Sequence, residues 1–279
     1  MSARDSHGID ISLAQWSLNQ ALSTGVLNHL DFPAYAKNTC GIEAVEYVNS
    51  YFKDKAKDKA YLDEMNTRCA DLGVFQNLIM IDGEGNLGDP DDAARMRAID
   101  NHKKWVDAAV HLGCRCIRVN ARSSGTWDAQ SQLAADGLRR LAEFAAPMNI
   151  HIIVENHGGL SSNGNWMRET IERADHQYVG TLPDFGNFQV GENPYGANWF
   201  DRYLGVERMM RFAQAVSAKS HKFDDKGNET GTDYERMLRV VVRSGYRGYL
   251  GIEYEGDRSM EREGILKTKA LIERVLAGM

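Results

Sequence analysis

Polar and apolar positions along this chain switch repeatedly between a helical and an extended period. Three segments show the switch in the same form: RCADLGVFQNLIMI ending at Ile81, AAVHLGCRCIRVN ending at Asn120, and VVRSGYRGYLGIEYE ending at Glu255. In each, a helical pattern stops at a glycine (Gly73, Gly113, Gly245) and a β-rich run follows. Glycine accepts the left-handed backbone that closes a helix, so each segment reads as a helix C-terminus feeding a strand. Similar apolar runs at 9–16, 41–48, 150–155, 178–184 and 215–223 bring the predicted strands to eight. Helical patterns lie between them. The clearest covers 90–112, where Asp89 is placed to cap, Pro90 suits the first turn, and Ala93, Met96, Ile99, Val106 and Val110 mark an apolar face.

Strands and helices alternating over the whole length imply parallel βαβ units. An open doubly wound sheet would be expected to carry a glycine-rich phosphate turn after its first strand, but that strand ends AQWSLNQ, without GxGxxG or a P-loop lysine. The fold expected is therefore α/β, a single (β/α)8 TIM barrel occupying residues 1–279 as one domain, with no linker or low-complexity break.

Composition narrows the function. With 43% hydrophobic residues the chain can build a sizeable core, and a net charge of −6 supplies no basic footprint for nucleic acid. The start, MSARDSHGID, has no apolar h-region, and no run of apolar residues is long enough to span a bilayer. A cytoplasmic protein without a membrane partner is expected, and its four cysteines, Cys40, Cys69, Cys114 and Cys116, read as reduced structural thiols.

In such a barrel the site forms at the C-terminal ends of the strands. Those ends are polar here: Gln15 and Trp16, Glu46 and Asn49, Arg118, Asn120 and Arg122, Glu155, Asn156 and His157, Asp184 and Asn187, Lys219 and His221, Glu253 and Glu255. In HIIVENHGG and LPDFGNF an apolar run ends abruptly in Glu155 or Asp184. A lone buried carboxylate is costly unless paired or metal-bound. Glu155, Asp184, His221 and Glu253 come from four successive strands at intervals of 29, 37 and 32 residues. Convergence on one divalent ion would account for all four. Three carboxylates and an imidazole favour Mn²⁺, Mg²⁺ or Co²⁺, with Zn²⁺ also compatible; the alternative for each residue is an ion pair with a neighbouring Arg or Lys.

The segments VENHGG, LPDFGNF, AKSHKFDD and GIEYEG resemble the fifth to eighth strand ends of the xylose-isomerase-like barrels. That group includes sugar-phosphate isomerases, ketose 3-epimerases such as tagatose 3-epimerase, hydroxypyruvate isomerase, inosose dehydratase and endonuclease IV. The resemblance implies that Glu155, Asp184, His221 and Glu253 are metal ligands, that Glu155 and Glu253 are also the acid–base pair, and that the partner is a small carbohydrate. By analogy with relatives it also implies a homo-oligomer. Family members often carry a histidine three residues after the aspartate; here that position is Asn187, which can bond a hydroxyl but cannot shuttle a proton near neutral pH.

A metal holding a carbonyl oxygen and an adjacent hydroxyl acidifies the intervening carbon, and two flanking carboxylates could remove and return its proton. The outcomes are epimerisation, aldose–ketose isomerisation, or expulsion of a β-leaving group by a dehydratase or lyase acting on a keto-sugar or keto-glycoside. A non-catalytic sugar-binding barrel is the alternative of different class. The endonuclease IV chemistry would need more strand-end histidines than this chain offers. The expected substrate-binding set is Trp16, Glu46, Arg118, Asn120, His157, Asn187 and Lys219. Several of these have structural alternatives: Trp16 as core packing, Arg118 paired with Glu46, His157 as a loop cap, and Lys219 paired with a ligand carboxylate.

Overall fold

The structure, a computed structural model, describes residues 7–193 and 196–279. Its strands in chain order are β1 (Ile9–Ala14), β2 (Ala44–Val48), β3 (Phe75–Met80), β4 (Cys116–Val119), β5 (His151–Glu155), β6 (Val179–Leu182), β7 (Gln189–Asn193), β8 (Gly196–Trp199), β9 (Val216–Ser220) and β10 (Gly248–Tyr254). Eight of them form one sheet in the order β6-β5-β4-β3-β2-β1-β10-β9, and each neighbouring pair is parallel. At the remaining seam β6 and β9 meet through parallel bridges, Thr181 to Ala213 and Asp184 to Ser217, instead of a continuous ladder. With helices packed outside, this is a (β/α)8 TIM barrel.

The two-residue period of each strand sorts its side chains. Ile152, Val154, Val216, Ala218, Leu250 and Ile252 face the helices and join the outer core with Trp105 and Trp166. The alternate positions face the barrel axis, where Ala14, Val48, Leu78, Met80, Cys116, Ile153, Leu182 and Ala215 form a smaller cluster. Glu46, Arg118, Glu155, Ser217, Lys219 and Glu253 share that inward parity, and all are buried. An apolar strand ending in a buried charge is thus the expected product of alternation carried one step past the apolar layer.

Helix ends follow their glycines: Gly73 and Gly113 close helices Lys59–Leu72 and Asp92–Leu112 with φ of 63° and 70°, and Gly245 also has positive φ. Three expectations need correction. The cap of the long helix is Asp91, whose side chain accepts from the Ala94 N–H, while Asp89 accepts from the Asp91 N–H. Its buried face runs through Ala98, Ile99, His102, Trp105, Val106 and Ala109, and Val110 is exposed. The antiparallel hairpin β7–β8 was not expected; it follows the sixth barrel strand as an insertion. The four cysteines are free and buried.

Candidate active site

At the C-terminal mouth of the barrel Glu155, Asp184 and Glu253 each offer a carboxylate oxygen within 4.8 Å of the others. Glu155 closes β5 and Glu253 lies one residue from the end of β10, both on inward positions. Asp184 follows β6, where Asn156 fixes it: the Asp184 N–H donates to Asn156 Oδ1 at 2.7 Å, and Asn156 Nδ2 donates to the carbonyls of Asp184 and Asn187 at 3.0 Å. Asp184 Oδ1 accepts the N–H groups of Gly186 and Asn187.

Three groups answer these charges. Arg118 Nε lies 2.7 Å from Glu155 Oε2, and its Nη1 bonds Asp82 Oδ1 at 3.0 Å. Lys219, 3% exposed, places Nζ between Asp184, Glu253 and Glu255. Ser217 Oγ lies 2.7 Å from Asp184 Oδ2 and 2.8 Å from Glu253 Oε2. A hydroxyl has one hydrogen, so Ser217 satisfies one of those oxygens at a time and the other is short of a donor. Glu155 Oε2 and Arg118 Nε, though adjacent, lack an aligned N–H···O bond and are buried without a hydrogen-bond partner. Hard oxygen donors with unfilled capacity fit a divalent cation.

Burial is the largest single influence on Glu155, Asp184, Lys219 and His157. It pushes Glu155 up to about 8 against the pull of Arg118, and raises Asp184 against that of Lys219. Burial alone would depress the Lys219 ammonium, but the carboxylates of Asp184, Glu253, Glu155 and Glu255 outweigh it and hold Lys219 well above its ordinary value. His157 is lowered, first by burial and then by Arg118 and Lys219, and is neutral near pH 7.

A cavity of about 660 Å³ opens over this cluster, lined among others by Trp16, Asp82, Arg118, Asn120, Arg122, His157, Glu253 and Glu255. Of the expected substrate-binding residues, Trp16, Arg118, Asn120 and His157 face it. Trp16 donates its indole N–H to Glu255 Oε1 at 2.6 Å and is 36% exposed, so it is wall and not core. Asn120 Nδ2 donates to Asp82 Oδ1 at 2.7 Å. Asn187 lies beside the triad, its Nδ2 donating to Glu155 Oε1 at 3.0 Å.

Two expected residues lie elsewhere. His221 does not join the triad: β9 ends at Ser220, and the imidazole is half exposed, with Nε2 3.9 Å from Glu255 Oε2. The expected strand ran three residues too far, and the inward position one step earlier belongs to Lys219. Glu46 is not part of the cavity lining. It points into the barrel below, where Oε1 accepts from Ser12 Oγ at 2.6 Å and Asn77 Nδ2 at 3.0 Å. A Cβ at position 251 would sit 2.5 Å from Glu46 Oε2, so Gly251 leaves room for this carboxylate. Arg118 pairs with Glu155 and Asp82, not with Glu46.

Asp82 escaped the sequence reading although the signal was present. In LIMIDG an apolar run ends in a carboxylate followed by glycine, the same form that marked Glu155 and Asp184. Ser217 could not be found that way, because a lone serine within a strand carries no comparable mark.

Comparison with known proteins gives the barrel a family. The family model for xylose isomerase-like TIM barrels matches residues 34–275. The chain belongs to that family. Among solved structures, the barrel is similar to a 3-keto-D-glucoside 4-epimerase from E. coli, at 16% identity and a TM-score of 0.66 over 94% of this chain and 99% of that one. It is also similar to an IOLI protein with a bound zinc atom, at 13% identity and a TM-score of 0.75 over 96% and 98%. At such identities the likeness is one of fold. A short segment of 41 residues is 49% identical to the C-glycoside deglycosidase alpha subunit of Arthrobacter globiformis, covering 15% of this chain and 12% of that protein. Among the described residues no helix is long and apolar enough to cross a membrane.

Proposed function

We propose that this protein is a metal-dependent sugar isomerase or epimerase acting on a keto-sugar or sugar phosphate by proton transfer beside the carbonyl. The observation that carries the reading is the pair Glu155 and Glu253, two buried carboxylates set within 4.8 Å of Asp184 beneath a cavity that Glu253 helps to line. The family assignment and the fold shared with a sugar epimerase support it. A divalent cation held by Glu155, Asp184 and Glu253, Mn²⁺ in this reading, supplies the positive charge that acidifies the C–H beside a carbonyl.

The chain's own groups divide the remaining work. Glu155 and Glu253 have unlike surroundings, one against Arg118 and the other against Ser217 and Lys219, and that asymmetry suits one to take the proton and the other to return it. Arg118, fixed by Asp82, presents a cation to substrate oxygens and compensates Glu155. Trp16 forms an apolar wall for a sugar ring, while Asn120 and neutral His157 offer hydrogen bonds to hydroxyls. With Asn187 where relatives often have histidine, proton transfer falls to the carboxylates.

The test is incubation of the Mn²⁺-loaded protein in D₂O with a panel of 3-keto-sugars, ketoses and ketose phosphates. Deuterium entering one C–H with the carbon skeleton retained is expected. No exchange with any of them overturns the reading. A second outcome is favoured by the segment shared with a C-glycoside deglycosidase subunit: expulsion of a β-substituent from a keto-glycoside after the same proton abstraction. Release of an aglycone would identify that lyase branch.

A further inference from the structure

Lys219 lies against two of the three carboxylates of the triad, Asp184 and Glu253. Strand register pairs it with Glu253 across β9 and β10. Its Nζ lies 3.4 Å from Glu253 Oε1, 3.5 Å from Asp184 Oδ2 and 3.1 Å from Glu255 Oε2. The stem packs against position 186, where a Cβ would come 2.9 Å from Lys219 Cδ, so Gly186 leaves the lysine its path inward. An ammonium has donors only and cannot ligate a metal. It seeks the same oxygens as a divalent cation, and the two repel at this range with little water to screen them. Lys219 also has a second berth. Glu255, outside the triad and held to the cavity wall by the Trp16 indole, is already the nearest of its three partners.

We propose that Lys219 is a tethered resident cation of this centre, and that a divalent ion enters by driving its ammonium off Asp184 and Glu253 and onto Glu255. The inference rests on the reading of the triad as a metal site. Metal uptake is then an exchange of cations, and the lysine sets its affinity.

The test measures Mn²⁺ binding by the electron paramagnetic resonance of free Mn²⁺, using the full chain as parent, Lys219→Met, Glu255→Gln and the double variant. Lys219→Met should bind at least about tenfold more tightly than the parent, because a like charge has been removed from the site. Glu255→Gln should weaken binding severalfold in the parent and leave it unchanged in the Lys219→Met background. Equal weakening in both backgrounds would be a general charge effect and would overturn the exchange. If Lys219→Met does not fold, a crystal of the parent protein with Mn²⁺ decides: Nζ on Glu255 and out of hydrogen-bond reach of Asp184 and Glu253 is expected, and Nζ still lodged between them beside the ion overturns the proposal. Mn²⁺ bound equally with and without Lys219 sinks the exchange alone. No uptake by any variant sinks the metal reading with it.

Discussion

The barrel holds buried carboxylates at two levels, and it treats them differently. At the lower level Glu46 meets only neutral donors, Ser12 and Asn77, and burial pushes it up to about 7. One inward step further along β10, Glu155, Asp184 and Glu253 are crowded together and met by a guanidinium, an ammonium and a hydroxyl too few in hydrogens to satisfy them. The lower node is a lone acid, bonded through Oε1 to neutral donors with Oε2 buried and without a partner, whereas the upper one gathers three carboxylates against two cations beneath a cavity. Burial of a carboxylate alone therefore does not mark a site in this protein.

The contrast can be broken most forcefully through Arg118. Replacing it by Met leaves Glu155 buried beside an apolar side chain and, above pH 8 where Glu155 is ionised, should cost about 3 to 5 kcal/mol in urea unfolding, the scale for breaking a buried ion pair. A loss under about 1 kcal/mol would mean that the upper charges are compensated without it. Next in size is turnover. Glu253→Gln and Glu155→Gln should each lower proton exchange into a keto-sugar by about 10²-fold or more, while Glu46→Gln stays within about twofold. Comparable losses at Glu46 would erase the distinction between the levels.

A third measurement sharpens it through pH. Because Glu46 binds its proton more tightly in the native state than in the unfolded chain, its contribution to stability is fully present below the ordinary value of 4.5 and is lost as pH rises through about 7. Glu46→Gln, which keeps the acceptor oxygen for Ser12 and Asn77, should match the parent near pH 4 and exceed it by about 3 kcal/mol at pH 8. Parallel unfolding curves at both pH values would show that Glu46 titrates normally. Smallest is Ser12→Ala, which removes a neutral hydrogen bond and should cost about 1 kcal/mol with exchange unchanged.

Much of this was readable in the chain. The helix–glycine–strand junctions located the barrel strands to within a few residues, because C-cap glycines and apolar alternation are local signals. Carboxylates closing an apolar run pointed to Glu155 and Asp184, and the same sign at Asp82 went unread. His221 and Lys219 show where local reading stops. Both lie on one strand parity, and choosing between them requires knowing that β9 ends at Ser220, which depends on its pairing with β10. Glu46 was misplaced for a related reason. Pairing of Val45 with Gln76 and Glu46 with Leu78 skips Asn77, a bulge that turns Asn77 to the carboxylate and is set by two strands together.

The seam between β6 and β9 ties the site to the closure of the ring. Seven junctions of the barrel are laddered, but this one is held by bridges, with the Phe185 N–H donating to Ser217 O at 3.1 Å and the Ser217 N–H to Pro183 O at 2.9 Å. Asp184 and Ser217, which form the outer bridge, are also joined through their side chains at the triad. The ring is thus closed at its one junction without a continuous ladder by two residues that help gather the charges. Amide hydrogens of Phe185 and Ser217 are expected to exchange with solvent through local opening well before those between β1 and β10, and to slow when a cation fills the triad. The barrel's breathing would then report the occupancy of its own site.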